Sequence, residues 1–156
     1  MSVPRIVFLF LLVSVVVCES TSYEGIFDQR GFLYNKAMQE SPFAREEELL
    51  PLLIPLHIEP GNIIVDAPAG GGYVSWGILN YISPECRSDV TIHQIEPSAN
   101  FANTGGHGKI ENVGTINCPL YDLPQDTSSI DRVSSLAGLH HMTQNEKYSF
   151  YEEAFR

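Results

Sequence analysis

The stretch Val65-Asp66-Ala67-Pro68-Ala69-Gly70-Gly71-Gly72 constrains this chain more than any other. Three successive glycines neither continue a strand nor start a helix cheaply, because glycine loses more backbone freedom on folding than any other residue. They follow Ile63-Ile64-Val65, a β-branched run suited to a strand buried on both faces. They precede residues 73–82, where Val74, Ile78 and Leu79, and Tyr81 or Ile82, recur at helical spacing until Ser83-Pro84 ends the pattern. A strand, a glycine turn and a helix make a close-approach site. With no side chain in the way a ligand can reach the backbone, and the free amides opening the helix favour an anionic group. Glu96 then falls at the tip of the second predicted strand, residues 90–95, where a nucleoside cofactor's ribose hydroxyls need an acceptor. Glycines alone mark any turn; their register with strand, helix and second-strand acid gives the pattern its specificity.

The rest of the chain alternates in the same way. Residues 113–118 and 130–136 read as a third and a fourth strand, and residues 144–156 as a helix with Tyr148, Tyr151 and Phe155 on one face. Strands separated by helical or loop segments imply crossover connections, hence an α/β fold, Rossmann-like and doubly wound, with a mostly parallel sheet. Upstream, residues 23–34 are aromatic and mixed, with Phe27, Asp28, Arg30 and Gly31, and show no clean period. Ser41-Pro42 reads as an N-cap followed by Pro at the first helical position, with Glu46, Glu47 and Glu48 near the positive end of that helix. Pro51 and Pro55 should kink or end it. Glu59-Pro60-Gly61-Asn62 is a turn. The glycine-rich residues 103–108 follow no predicted strand and read as a flexible loop. Trp76 is most simply core packing, and His93 and His107 have no partner at a useful spacing.

Composition narrows the partners. A chain of 156 residues has room for one ordinary domain, and 44% hydrophobic residues support a real core. Nine Lys and Arg against nineteen Asp and Glu give a net charge of −10, from which no basic face for nucleic acid can be assembled. Cys18, Cys86 and Cys118 match no metal-ligand spacing, so no metal site is expected. Cys86 and Cys118 are expected at opposite ends of neighbouring strands, as two free thiols. Residues 1–20, with Arg5, an apolar run over 6–17 and then Cys18-Glu19-Ser20, read as a secretory signal peptide, too short for a stable membrane span. Their removal takes one cation and one anion and leaves the charge argument unchanged. The expected organisation is 1–20 signal-like, 21–60 a helical lead-in and 61–156 the Rossmann-like domain.

These motifs resemble the class I S-adenosylmethionine-dependent methyltransferases, in particular the small-molecule branch called type 11. That family's first motif runs apolar-Asp-x-Gly-x-Gly-x-Gly, and residues 65–72 match it at Asp66, Gly70 and Gly72, with Pro68 in place of the first glycine. Ile95-Glu96-Pro97-Ser98 resembles the second motif. Asp122-Leu123-Pro124 with residues 129–136 resembles the fourth-strand region, and Leu139-His140-His141-Met142 the Leu-His-His signature after it. Pro42-Phe43-Ala44-Arg45 with Glu48 is similar to the helix that precedes the domain. The resemblance covers residues 30–156. It implies S-adenosylmethionine as cofactor, a small-molecule methyl acceptor, and in-line methyl transfer with no metal and no covalent intermediate. It further implies cofactor contacts from Asp66, Ala67, Gly70, Gly72, Glu96, Pro97, Leu120 and Leu136. The family's acid after the third strand, which binds the adenine amino group, is replaced here by Pro119. The family has seven strands, and this sequence reaches Arg156 in the helix after the fourth, so the resemblance implies a partial domain with a bare edge on that strand.

A histidine near neutral pH could deprotonate a substrate hydroxyl or amine, which makes His140 and His141 candidate bases beside the more common structural role. Two other functions fit parts of the pattern. Gly70-x-Gly72-x-x-Ser75 partly imitates a nicotinamide-dinucleotide fingerprint with Glu96 on the ribose, although Asp66 has no place in that fingerprint. A truncated, non-catalytic Rossmann-like domain is the other. The signal-like start and the use of a cytosolic metabolite point to different compartments, and neither the methyl acceptor nor an oligomeric state is legible.

Overall fold

The β-branched runs become strands. The computed structural model describes residues 23–40, 46–103 and 113–156. In chain order these form α1 (Tyr23–Glu40), α2 (Glu46–Leu56), β1 (Ile63–Asp66), α3 (Tyr73–Tyr81), α4 (Pro84–Arg87), β2 (Thr91–Ile95), α5 (Ala99–Asn103), β3 (Val113–Ile116), β4 (Arg132–Ser134), a 3₁₀ turn (Leu139–His141) and α6 (Gln144–Ala154). The sheet is wholly parallel, in the order β3-β2-β1-β4. Asp66 stands beside Gln94 on one side and Ser134 on the other.

Side chains alternate across a strand, so a parallel sheet needs cover on both faces. Ile64 and Ile92 join Leu49, Leu56, Val74, Ile78 and Leu79 on one face. Val65 and Ile95 join Leu120, Leu123, Met142 and Phe150 on the other. The doubly wound α/β expectation is met. The third and fourth strands are shorter than expected, ending at Ile116 and Ser134 rather than Cys118 and Leu136. Cys86 is buried in α4 before β2 and Cys118 is half-buried after β3, both as free thiols.

One other expectation is corrected, and two are made more definite. Residues 23–34 lie in a regular helix whose inward stripe is Phe27, Gly31, Tyr34 and Asn35; two of those four are not hydrophobic, which hid the period. Helix α2 runs on through Pro51 and stops at Leu56, one residue after Pro55. Tertiary anchors outweigh the lost donors: Leu49 is fully buried in a notch over Gly77 of α3, and Arg132 of β4 donates from Nε to the Leu56 carbonyl at 2.6 Å, closing the C-terminal end of α2. The face of α6 holding Tyr148, Tyr151 and Phe155 points to solvent, and Phe150 is what anchors the helix. That helix starts on a capping box between Thr143 and Glu146.

The signal-like residues 1–20, the Ser41-Pro42 cap, the Pro42–Arg45 part of the resemblance, Cys18, and most of the expected loop over 103–108 with His107 lie outside the described residues. Among the described residues no helix is long and apolar enough to cross a membrane, and no cluster of His, Cys, Asp and Glu has metal-binding geometry.

Candidate functional site

The strand order reverses direction at β1: the chain winds outward through β2 and β3, then returns to place β4 on the other side. Loops leaving the carboxyl ends of two such strands diverge, and ligands of open α/β sheets bind in the crevice between them. Here the crevice is a cavity of about 400 Å³. Its floor is Pro68–Gly71 after β1, one side is Leu136, Ala137 and Gly138 after β4, and the other wall is α1. The volume lies within the range of about 300–1,000 Å³ typical of small-molecule sites.

Glycine geometry shapes the floor. Gly70 and Gly72 hold positive φ of 54° and 82°, which non-glycine residues rarely adopt. A Cβ on Gly70 would press on the Phe101 ring, and one on Gly72 would run into the Gln94 amide. The Ala67–Pro68 peptide is cis, and the Pro68 ring fills the space a side chain at Gly138 would need.

Two acids hold this turn from beneath. Glu96 is fully buried; Oε2 accepts from the Gly70 amide at 2.7 Å and Oε1 from the Ser98 amide at 2.9 Å. Asp66 is fully buried too, and its Oδ2 accepts from the Ser75 amide at 3.1 Å and the Ser75 hydroxyl at 2.7 Å. Its Oδ1 has no hydrogen-bond partner among the described residues. Burial pushes the Asp66 carboxyl from 3.8 up to about 7, against the lowering effect of Ser75, with the charge of Glu96 adding to the rise.

The residues singled out from the sequence are therefore placed in two layers. Gly70, Leu136, His140 and His141 line the cavity. Asp66, Ala67, Gly72, Glu96 and Leu120 are buried behind its floor, and half-buried Pro97 follows Glu96. His140 and His141 sit in the 3₁₀ turn with ring centroids 3.9 Å apart, and the His141 ring meets Phe27 edge-on at 5.1 Å. Desolvation, then the neighbouring His140, lowers the His141 pKa below its ordinary 6.5, which keeps the imidazole in its proton-accepting form.

The sequence reasoning missed the α1 wall. Phe27 stacks on Phe101 at 5.1 Å, Tyr34 meets Phe101 edge-on at 5.5 Å, and the Phe101 ring lies in the notch left by Gly31. Asp28 accepts from the Ser98 hydroxyl at 2.6 Å, one residue pair from Glu96. Arg30, from the same helix, is the one Lys or Arg lining the cavity among the described residues. The i, i+4, i+7, i+8 spacing of Phe27, Gly31, Tyr34 and Asn35 was the signal available.

The donor set fits an adenosyl sulfonium cofactor in three respects: a cradle too tight for side chains at Gly70 and Gly72, a cavity of adequate size, and a buried carboxylate oxygen left unsatisfied beside it. The Glu96 carboxylate is fully buried and accepts hydrogen bonds from the Gly70 and Ser98 amides.

No family model matches this chain, and no curated protein matches its sequence. Solved structures match in fold. A chain from the complex of the Haloferax volcanii Trm112 methyltransferase activator with a protein described as a methyltransferase superposes with a TM-score of 0.64 at 18% identity, over 82% of this chain and 53% of that one. A protein of Anabaena variabilis, described as a methyltransferase from an antibiotic biosynthesis pathway, gives 0.53 at 20% identity, over 69% and 38%. YjhP of Escherichia coli gives 0.51 at 17% identity, over 81% and 52%. At these identities the likeness is one of fold, and this chain spans about half or less of the length of each.

Proposed function

We propose that this cavity binds S-adenosylmethionine and that the chain carries the cofactor-binding part of a methyltransferase acting on a small-molecule acceptor. One observation carries the reading: an acid at the β2 tip pins the amide of a positive-φ glycine turn at the strand-order reversal, opposite an open cavity. The likeness in fold to proteins described as methyltransferases supports it. The nicotinamide alternative is disfavoured because Ser75, the third position of its fingerprint, is committed to Asp66.

Bound S-adenosylmethionine supplies an electrophilic methyl group on a sulfonium. Catalysis then consists of holding an acceptor in line with that carbon. The backbone at Gly70 and Gly71 gives the cofactor a side-chain-free floor, Glu96 fixes that floor and is the candidate partner for the ribose, and the apolar wall of Phe27, Leu136 and Val74 excludes water. His141 accepts the proton that a hydroxyl or amine acceptor gives up. The Haloferax volcanii structure contains an activator protein, and the outer edges of β3 and β4, the last strands of this sheet, give this chain a surface for such a partner.

The test is retention of labelled S-adenosylmethionine by the full chain in equilibrium dialysis, with competition by nicotinamide dinucleotide. Displacement is expected from S-adenosylhomocysteine and not from the dinucleotide, and Glu96→Ala should weaken retention by about 1–3 kcal/mol, the cost of hydrogen bonds to a charged acceptor. Retention of the dinucleotide alone would overturn the proposal.

A further inference from the structure

The cavity reverses the sign of the chain around it. Nineteen Asp and Glu against nine Lys and Arg give the sequence a charge of −10, yet among the described residues no acid lines the cavity and one guanidinium does. That group is Arg30 of α1, exposed and in no ion pair with a described residue. Asp28, its nearest acid in sequence, accepts from the Ser98 hydroxyl instead. Helix geometry fixes where Arg30 stands. Phe27 meets the His141 ring edge-on at 5.1 Å. Arg30 comes three residues later, a neighbour of Phe27 on the same face with about 5–6 Å between Cβ atoms. The guanidinium and the imidazole therefore share one stretch of wall. The cofactor's own carboxylate has another place to go, the opening of α3, whose first residues Tyr73 and Val74 also line the cavity.

We infer that the methyl acceptor is a small hydroxy- or amino-carboxylic acid, its carboxylate gripped by Arg30 while its hydroxyl or amine faces His141. The inference rests on the S-adenosylmethionine reading and names the acceptor class for it. A guanidinium meets a carboxylate as a two-pronged fork, which orients the bound molecule as well as attracting it. With that end fixed, the nucleophile of a short acid reaches the imidazole. The apolar side chains of Ile26, Phe27 and Leu136 give its ring or chain a surface to lie on. A neutral amide of the same shape keeps that surface and loses the charge-assisted fork.

The experiment is calorimetry on the full chain, first with S-adenosylhomocysteine alone. With that ligand saturating, hydroxy- and amino-substituted benzoates and phenylacetates follow, each beside its own amide. The best acids should bind about five- to tenfold tighter than their amides, as expected for a charge-assisted pair at an exposed arginine. Arg30→Gln, a swap between residues of similar helix propensity on an exposed position, should erase that preference. Arg30→Lys should recover part of it, because it restores the charge without the fork. S-adenosylhomocysteine should bind all three proteins equally. Acids no tighter than their amides, or a preference that Arg30→Gln keeps, overturns this inference and leaves the cofactor reading standing. Weaker S-adenosylhomocysteine binding by Arg30→Gln would mean that the arginine holds the cofactor's carboxylate, and it overturns the inference in the same way. Absence of S-adenosylhomocysteine binding to the wild type overturns both.

Discussion

Replacing Asp66 by Asn should cost this protein stability at acidic pH, and that cost should shrink to nothing or reverse as the pH rises to 8. The folded carboxyl, raised from 3.8 to about 7, keeps a proton that the unfolded chain releases. Its stabilising contribution is complete below the unfolded value and drains away as pH rises from about 4 to about 7, because the unfolded state then gains from ionising while the folded state cannot. Evaluated between pH 5 and pH 8, this one group removes about 2.5 kcal/mol of stability. The amide does not ionise, so the variant lacks that slope. It retains an acceptor for Ser75, but its NH₂ occupies the place of the unpartnered Oδ1, and an unsatisfied buried donor costs about 1–3 kcal/mol at every pH. The two effects cross: Asp66→Asn is the less stable protein at pH 5 and draws level with or passes the wild type by pH 8. Urea denaturation followed by the single Trp76 measures it, and taking the difference between the two proteins cancels the titrating groups that do not act on residue 66, Glu96 being the one that does. A difference that stays constant from pH 5 to pH 8 within about 0.5 kcal/mol refutes the reasoning, because a carboxyl that ionises normally in the folded state produces no slope.

Two further outcomes follow from the packing and the cavity. Gly77→Ala should destabilise by about 1–2 kcal/mol in the same denaturation assay: better helix propensity returns about 1 kcal/mol, but the new Cβ meets the fully buried Leu49 side chain and overpacking outweighs it. His141→Asn should lower kcat by about a hundredfold at nearly constant KM in a methyl-transfer assay with a hydroxyl or amine acceptor, and it should remove an acidic limb lying below the ordinary 6.5; unchanged kcat would make that imidazole a wall and not a base.

The sheet was legible because parallel strands buried on both faces favour short β-branched and apolar runs: Ile63, Ile64 and Val65 make one, and Val90, Ile92 and Ile95 mark the next despite the polar His93 and Gln94 between them. Glu96 was legible for a related reason: an acid ending such a run sits where the carboxyl ends of the strands meet ligands. The α1 wall was not. Its inward stripe includes Gly31, present so that the Phe101 ring can enter, and Asn35, so a test for apolar periodicity fails on the residues that make the contact. Pro55 marks the end of α2, while Pro51 does not stop it, because Leu49 and Arg132 hold that helix from outside. Period alone places Tyr148, Tyr151 and Phe155 on one face of α6 without saying which way it points; buried Phe150 decides that.

That missed helix turns the lead-in into part of the site. From the glycine turn to α1 runs one chain of hydrogen bonds: the Gly70 amide to Glu96, Glu96 to the Ser98 amide, the Ser98 hydroxyl to Asp28. Asn100 adds a bond to the Asp28 carbonyl at 3.2 Å. The cavity exists only while α1 stays docked, and this latch works together with the Phe27 and Tyr34 contacts to Phe101, the Phe27–His141 contact and buried Asn35, while the outer face leaves Phe32 and Leu33 in solvent. Ser98→Ala tests the coupling with the least disturbance. It removes the Asp28 contact and the hydroxyl that accepts from the Phe101 amide at 3.1 Å, while Glu96 keeps its backbone partners. A charge-assisted bond to a solvent-facing carboxylate contributes about 1 kcal/mol, so amides of α1 should exchange about five- to tenfold faster. Those of β1 and β2, buried in the sheet, should keep their rates. Equal acceleration throughout would mean that the serine supports the whole domain, and no acceleration that the aromatic stack alone docks the helix; either result breaks the link between α1 and the acid beneath the glycine turn.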